Sequence, residues 1–166
     1  TLPNMTVIHP CDDLSAHALT LALRNHNQPS YMRTARNKVA RAYSEASSRE
    51  LVIGKGHIHR TGGDVAIIAC GVMLNEALQA AENLSADGIN ATVVDMHTIK
   101  PLDDELVIQL AHDCGAIVTA EDHSIIGGLG GAVAECIVSS HPVPMERIGV
   151  QDRFGESGGS DELLQL

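Results

Sequence analysis

Val65-Ala66-Ile67-Ile68-Ala69-Cys70 is an unbroken apolar run, followed by an amphipathic stretch from Met73 to Asp87 and a second run from Ala91 to Met96. An apolar run without polar alternation predicts a strand covered on both faces. The stretch from Met73 carries helical spacing and stops at Gly88, a residue suited to the left-handed position past a helix end. The same alternation continues downstream. Asp103 to Asp113 predicts a helix stopped by Gly115, and Ala116 to Ala120 predicts a third buried strand. Gly127-Gly128-Leu129-Gly130-Gly131 leads into a helix through Ser139, and Met145 to Val150 predicts a last strand. Strands alternating with helices give a mostly parallel sheet with helices on both faces, a three-layer α/β/α domain.

Upstream the pattern is shorter. Met5 to His9 predicts a strand ended by Pro10, and Asp12 and Asp13 cap a helix from Leu14 to Asn25. Asn27-Gln28-Pro29 breaks that helix, and Ser30 to Arg33 predicts a second strand. One βαβ unit cannot bury both faces of its sheet, so residues 1–34 read as the end of a domain. Residues 35–49 are polar, carry Arg36, Lys38, Arg41 and Arg49, and read as a partly helical linker. Residues 50–166 form the main domain, where Leu51 to His59 predicts a hairpin or edge strand before the first apolar run. The chain begins without methionine, and Asp161 to Leu166 reads as a helix just begun. Both ends are therefore expected to be cuts in a longer protein.

Composition narrows the classes. Apolar residues are 44% of the 166 positions, enough for a sizeable core, and aromatic residues are only 2%. That scarcity excludes a base-stacking platform. A formal net charge of -10 argues against nucleic acid or an anionic membrane as a general partner. The residues at hand read as carrying neither a signal-peptide pattern nor a membrane-length apolar run. The four cysteines, Cys11, Cys70, Cys114 and Cys136, form no CxxC pair and read as reduced thiols of a cytosolic protein.

Four groups are candidates for chemistry. Glu121-Asp122-His123 follows a buried strand, where ligands of open parallel sheets bind, but such carboxylates also cap helices or pair across interfaces. His123 could act as a general base, yet no nucleophile adjoins it in sequence. The glycine run lacks the lysine and hydroxyl of a P-loop and the spacing of a dinucleotide fingerprint, which favours helix–sheet packing over phosphate binding. His57 and His59 share a strand face and would need a third ligand to hold a metal; no HExxH or Cys/His cluster accompanies them. Arg33 and Arg36, at a strand end, can receive an anion bidentately or stay solvated in the linker.

Several blocks together resemble a known family. Leu2-Pro3-Asn4-Met5, Pro10-Cys11-Asp12-Asp13 and Ser30-Tyr31-Met32-Arg33 resemble the end of the pyrimidine-binding domain of transketolase. Gly62 to Gly71 and Val94 to Asp103, with its Lys100-Pro101-Leu102-Asp103 turn, resemble the transketolase C-terminal domain. Glu121-Asp122-His123 with the glycine run, and Arg153 to Gly158, are similar to short bacterial transketolases and deoxyxylulose-phosphate synthases.

The resemblance implies a cytoplasmic thiamine-diphosphate transferase of carbohydrate metabolism, in the pentose phosphate pathway, moving two-carbon ketol units between sugar phosphates. It implies that residues 1–34 end the pyrimidine-binding domain, that 35–49 are the linker and that 50–166 are the C-terminal domain. The family's GDG…N metal motif is absent, and its activating acidic residue and substrate-handling histidine loop are expected upstream. The isolated chain is then inactive and binds no cofactor, with thiamine diphosphate and Mg²⁺ held in the complete enzyme. One substrate residue carries over: the arginine that holds the sugar phosphate falls on Arg33. Partners are the N-terminal half or subunit and a second copy in a homodimer. Two other readings stay open, a freestanding anion- or nucleotide-binding module and a regulatory scaffold derived from the enzyme.

Overall fold

The computed structural model describes residues 1–36, 38–159 and 163. The apolar runs set the centre of the fold. Strands β1 (Thr6–Ile8), β2 (Ser30–Met32), β3 (His57–Arg60), β4 (Val65–Ala69), β5 (Ala91–Asp95), β6 (Thr98–Lys100), β7 (Ile117–Ser124) and β8 (Met145–Val150) are present. They alternate with helices α1 (Asp13–Leu23), α2 (Glu45–Ser48), α3 (Met73–Ala86), α4 (Asp104–Cys114) and α5 (Leu129–Ser139). The five-stranded sheet runs β3-β5-β4-β7-β8, parallel except for the edge strand β3.

Alternate residues of the central strands feed two cores. Ile67, Ala69 and Val93 pack with Leu74, Ala77 and Ala81 of α3 and with Leu19 of α1. Ala66, Ile68 and Val94 pack on the opposite face with Val107, Leu110 and Ala111 of α4 and Val133 and Ile137 of α5. This is the expected three-layer arrangement, and it explains why the strands lack polar alternation. Gly88 and Gly115 follow α3 and α4 with positive φ, as their positions in the sequence predict.

The N-terminal segment forms a smaller sheet in the order β2-β1-β6. β1 and β2 pair in parallel across α1, the βαβ connection read from sequence. The third strand was not foreseen. β6 lies beyond β5 and pairs antiparallel with β1, through Val7 with Lys100 and Ile8 with Thr98. The two sheets are thereby joined by the short turn between β5 and β6.

Two aspartates fasten the connecting segments. Asp12 caps α1 by accepting from the Ser15 amide at 2.7 Å, and its other oxygen accepts from the Ala42 and Tyr43 amides at 2.9 and 3.0 Å. Asp103 caps α4 and also accepts from the Gly56 amide at 3.0 Å and Lys55 Nζ at 3.1 Å. Within 35–49 only Glu45–Ser48 is helical among the described residues. Tyr43 is buried, and its hydroxyl donates to Asp95 Oδ2 at 2.8 Å. Leu51 to Ile53 form no strand, so β3 is an edge strand without the hairpin. The helix read at Asp161 to Leu166 lies, except for Leu163, outside the described residues. No helix among the described residues is long and apolar enough to cross a membrane.

Candidate functional site

β4 is the topological pivot. The chain leaves it through α3 to β5 on one side, whereas β7 on its other side leads through α5 to β8. The carboxyl ends of β4 and β7 therefore flank the point where strand order reverses, the usual ligand position in such sheets. The end of β1 is drawn over this point. The His9 amide donates to the His97 carbonyl at 2.8 Å, and the Gly71 amide donates to the His9 carbonyl at 3.1 Å. Gly71 has φ +58°, and a Cβ there would collide with the His9 ring. Glycine thus serves both the backbone turn and the close approach of the imidazole.

Glu121-Asp122-His123 lies within β7, which continues to Ser124, and not after the strand as the sequence pattern suggested. The three side chains have separate partners. Glu121 is 1% exposed, and its carboxylate closes the start of α5. Oε2 accepts from the Leu129 amide at 2.7 Å and Oε1 from the Gly130 amide at 2.9 Å. A Cβ on Gly128 would strike that carboxylate. The glycine run thus packs a helix start tightly onto the sheet. Its anion-binding end is already filled by the protein's own carboxylate, which removes the basis for a freestanding anion- or nucleotide-binding module at this helix.

Asp122 turns toward the N-terminal segment. Its Oδ1 pairs with Arg33 Nη1, and the same Nη1 lies 3.2 Å from His9 Nε2. Nη1 can only donate, so His9 Nε2 is the acceptor and the proton of the neutral ring is assigned to Nδ1. Burial lowers the His9 imidazole to about 4, with Arg33 and His123 adding to the effect, which agrees with a neutral ring. His123 behaves oppositely. Contacts with Asp122 and Glu121 push it up to about 9 against the effect of burial, so it is protonated at neutral pH. Its Nε2 lies 2.7 Å from Glu121 Oε2 and its Nδ1 3.7 Å from Asp122 Oδ1. Burial raises the Asp122 carboxyl, but His123 and Arg33 outweigh it and hold the group well below the usual carboxylate range.

Ligand atoms of His9, Asp122 and His123 lie within 4.8 Å of one another, a metal-like grouping. Arg33 already supplies its cation. Nη1 contacts both Asp122 and His9, where a divalent ion would have to sit. The His57–His59 pair does not join this group. Those rings meet edge-on at 4.8 Å, and Tyr43 packs tilted against His57 at 5.2 Å and edge-on against His59 at 4.6 Å, forming an aromatic cluster at the edge strand.

Arg33 itself is placed by backbone pairing: its amide donates to the Ile8 carbonyl at 2.9 Å at the end of β2. Its side chain is 37% exposed. Among the described residues, the guanidinium bonds only through Nη1, leaving the Nε–Nη2 edge open. Arg36 lies apart, with Pro10, Asp12 and Lys38 around an open cavity of about 480 Å³. His9 was not singled out from the sequence; the only signal was its place before Pro10 at a strand end.

The structure defines a three-layer α/β/α domain with a charged cluster at its switch point, completed by an arginine from a preceding βαβ segment. The chain belongs to the transketolase family: residues 54–166 match the model for the transketolase C-terminal domain. It is 46% identical over 164 residues to the 6-deoxy-6-sulfo-D-fructose transketolase subunit SqwH of Clostridium sp. (strain MSTE9), covering 99% of this chain and 50% of that protein. It is 44% identical over 165 residues to a putative transketolase C-terminal section from Methanocaldococcus jannaschii, covering 99% of this chain and 51% of that protein. A solved structure described as a split gene transketolase, inactive beta4 tetramer, superimposes with a TM-score of 0.91 at 43% identity, over 94% of this chain and 51% of that one. The chain thus spans about half the length of these relatives.

Proposed function

We infer that this chain is the C-terminal portion of a transketolase-type transferase that moves two-carbon ketol units between sugar phosphates. Its own contribution is structural and dimerising, with one substrate contact, the Arg33 guanidinium on the terminal phosphate of the sugar. The observation that carries the reading is the open Nε–Nη2 edge of Arg33 at the switch point. Two parallel N–H donors on one planar edge match two oxygens of a phosphate. Family membership supports the reaction class, and the length of the relatives supports a partner that supplies the preceding half, on the same or another polypeptide. The sulfonate in the name of the Clostridium relative's sugar is also an oxyanion that such an edge would accept.

The residues of this chain do not fit thiamine diphosphate. Glu121 fills the α5 start that would otherwise receive a diphosphate, and no GDG…N metal motif occurs in the sequence. The cofactor and its Mg²⁺ then belong to the rest of the complete enzyme. Mixing the chain with the polypeptide that carries the preceding half tests the reading. Ketol transfer is expected in the mixture and not in the chain alone; turnover by the chain alone would overturn it.

A further inference from the structure

The Arg33–Asp122 pair links residues 89 positions apart, one at the end of β2 and one on β7. Asp122 supplies the carboxylate of this pair. Its carboxylate could serve Arg33 in two opposed ways. It could compete with an incoming oxyanion for the guanidinium, or it could hold the guanidinium in place for one. The contact geometry separates these. A competitor would take the bidentate edge. Asp122 instead takes Nη1 alone, from the side shared with His9 Nε2. Contrast Arg41, whose Nε and Nη2 both bind Asp13, at 2.8 and 2.6 Å. In Arg33 that same edge makes no hydrogen bond among the described residues, and the side chain is 37% exposed.

We propose that Asp122 is a positioning residue: it anchors Arg33 from the five-stranded sheet, so that the Nε–Nη2 edge is preset for the substrate's oxyanion. This rests on the reading of Arg33 given above. Asp122 is itself fixed. His123 stands 3.7 Å from the same oxygen and is tied to Glu121, which is bonded to the start of α5. Arg33 is thereby restrained on three sides, by the Ile8 carbonyl through its backbone, by His9 and by Asp122. A long, rotamer-rich side chain that is held before binding loses less freedom on binding. The C-terminal domain then contributes to substrate affinity without touching the substrate.

The test uses the complete enzyme, with a ketose phosphate donor and its unphosphorylated counterpart assayed in one preparation. The ratio of the two kcat/KM values cancels any change in the folded fraction. Asp122→Asn is expected to lower the ratio about tenfold, through a higher KM for the phosphorylated donor, and Asp122→Glu to restore part of it. Asp122→Ser serves if the Asn variant does not fold. In an Arg33→Ala background, Asp122→Asn is expected to leave the ratio unchanged. A ratio that rises in Asp122→Asn would mean competition and overturn the proposal. So would an unchanged ratio, or a further fall in the double variant. If Arg33→Ala alone leaves the ratio at the wild-type value, the reading of Arg33 fails first. If Arg33→Ala lowers it and Asp122→Asn does not, only the role of Asp122 fails.

Discussion

Arg33 and Asp122 meet across the two sheets of the molecule, with His9 Nε2 3.2 Å from the same guanidinium nitrogen. Neither side of this contact is complete alone. The three-stranded sheet brings Arg33 and His9, and the five-stranded sheet brings Asp122 and His123. The strand β6, which pairs with β1, keeps the two in register.

The first expectation concerns Glu121, whose carboxylate closes α5. Glu121→Gln replaces an acceptor-only group by an amide whose NH₂ must face a donor. One of the Leu129 or Gly130 amides is then left unpaired in a buried site. The expected loss is about 1–3 kcal/mol of unfolding free energy in urea. Gly128→Ala should cost a similar amount by forcing the same carboxylate out of place. Wild-type stability in both variants would contradict the capping role.

The second concerns pH. His123 is raised to about 9 in the folded protein from an ordinary 6.5. Its stabilisation is fully present below 6.5 and is lost as pH rises through 9. Subtracting the stability curve of His123→Gln from that of the wild type isolates this group. The difference should fall steadily between pH 6.5 and 9. A flat difference over that range would show that the imidazole gains nothing from Asp122 and Glu121.

The third concerns Asp95, which burial raises to about 7. Tyr43 donates to one of its oxygens, and the other has no partner among the described residues. Its contribution is present below the ordinary carboxylate value of 3.8 and is lost as pH rises through 7. Asp95→Asn removes the need to ionise in the core. The variant should therefore gain on the wild type as pH rises from about 4 to about 7, read by thermal unfolding. A constant offset would contradict the buried-acid assignment.

The fourth concerns the cofactor. The isolated chain is expected to show no saturable binding of thiamine diphosphate with Mg²⁺ at micromolar concentration by calorimetry. Saturable binding would contradict the assignment of the cofactor to the rest of the enzyme.

How much of this was legible beforehand follows from how far apart the partners lie. Val65–Ala69 and Ala91–Asp95 are buried on both faces, so each announces itself locally as an apolar run. Thr98–Lys100 is short and mixed, and it becomes a strand only because β1 is there to pair with it. The charged end of β7 carries no local strand signal for the same reason: Ser124 is held by Val150 of β8. Arg33 could be placed at a strand end from Ser30 onward and matched to the family's phosphate arginine. Its restraint by Asp122 and His9 could not be seen, since both lie on other strands. The helix-capping alternative for Glu121 was visible as a general tendency; the partners Leu129 and Gly130 were not.

The central claim is that Arg33 receives the phosphate of the sugar. Its most direct measurement is Arg33→Ala in the complete enzyme, with phosphorylated and unphosphorylated donors compared. Loss of a charge-assisted contact of about 1.5–3 kcal/mol should lower kcat/KM for the phosphorylated donor roughly ten- to a hundredfold more than for the other. Arg33→Lys should recover only part, because an ammonium lacks the planar edge. An equal loss with both donors would show that Arg33 is a structural cation between the two sheets and contradict the account.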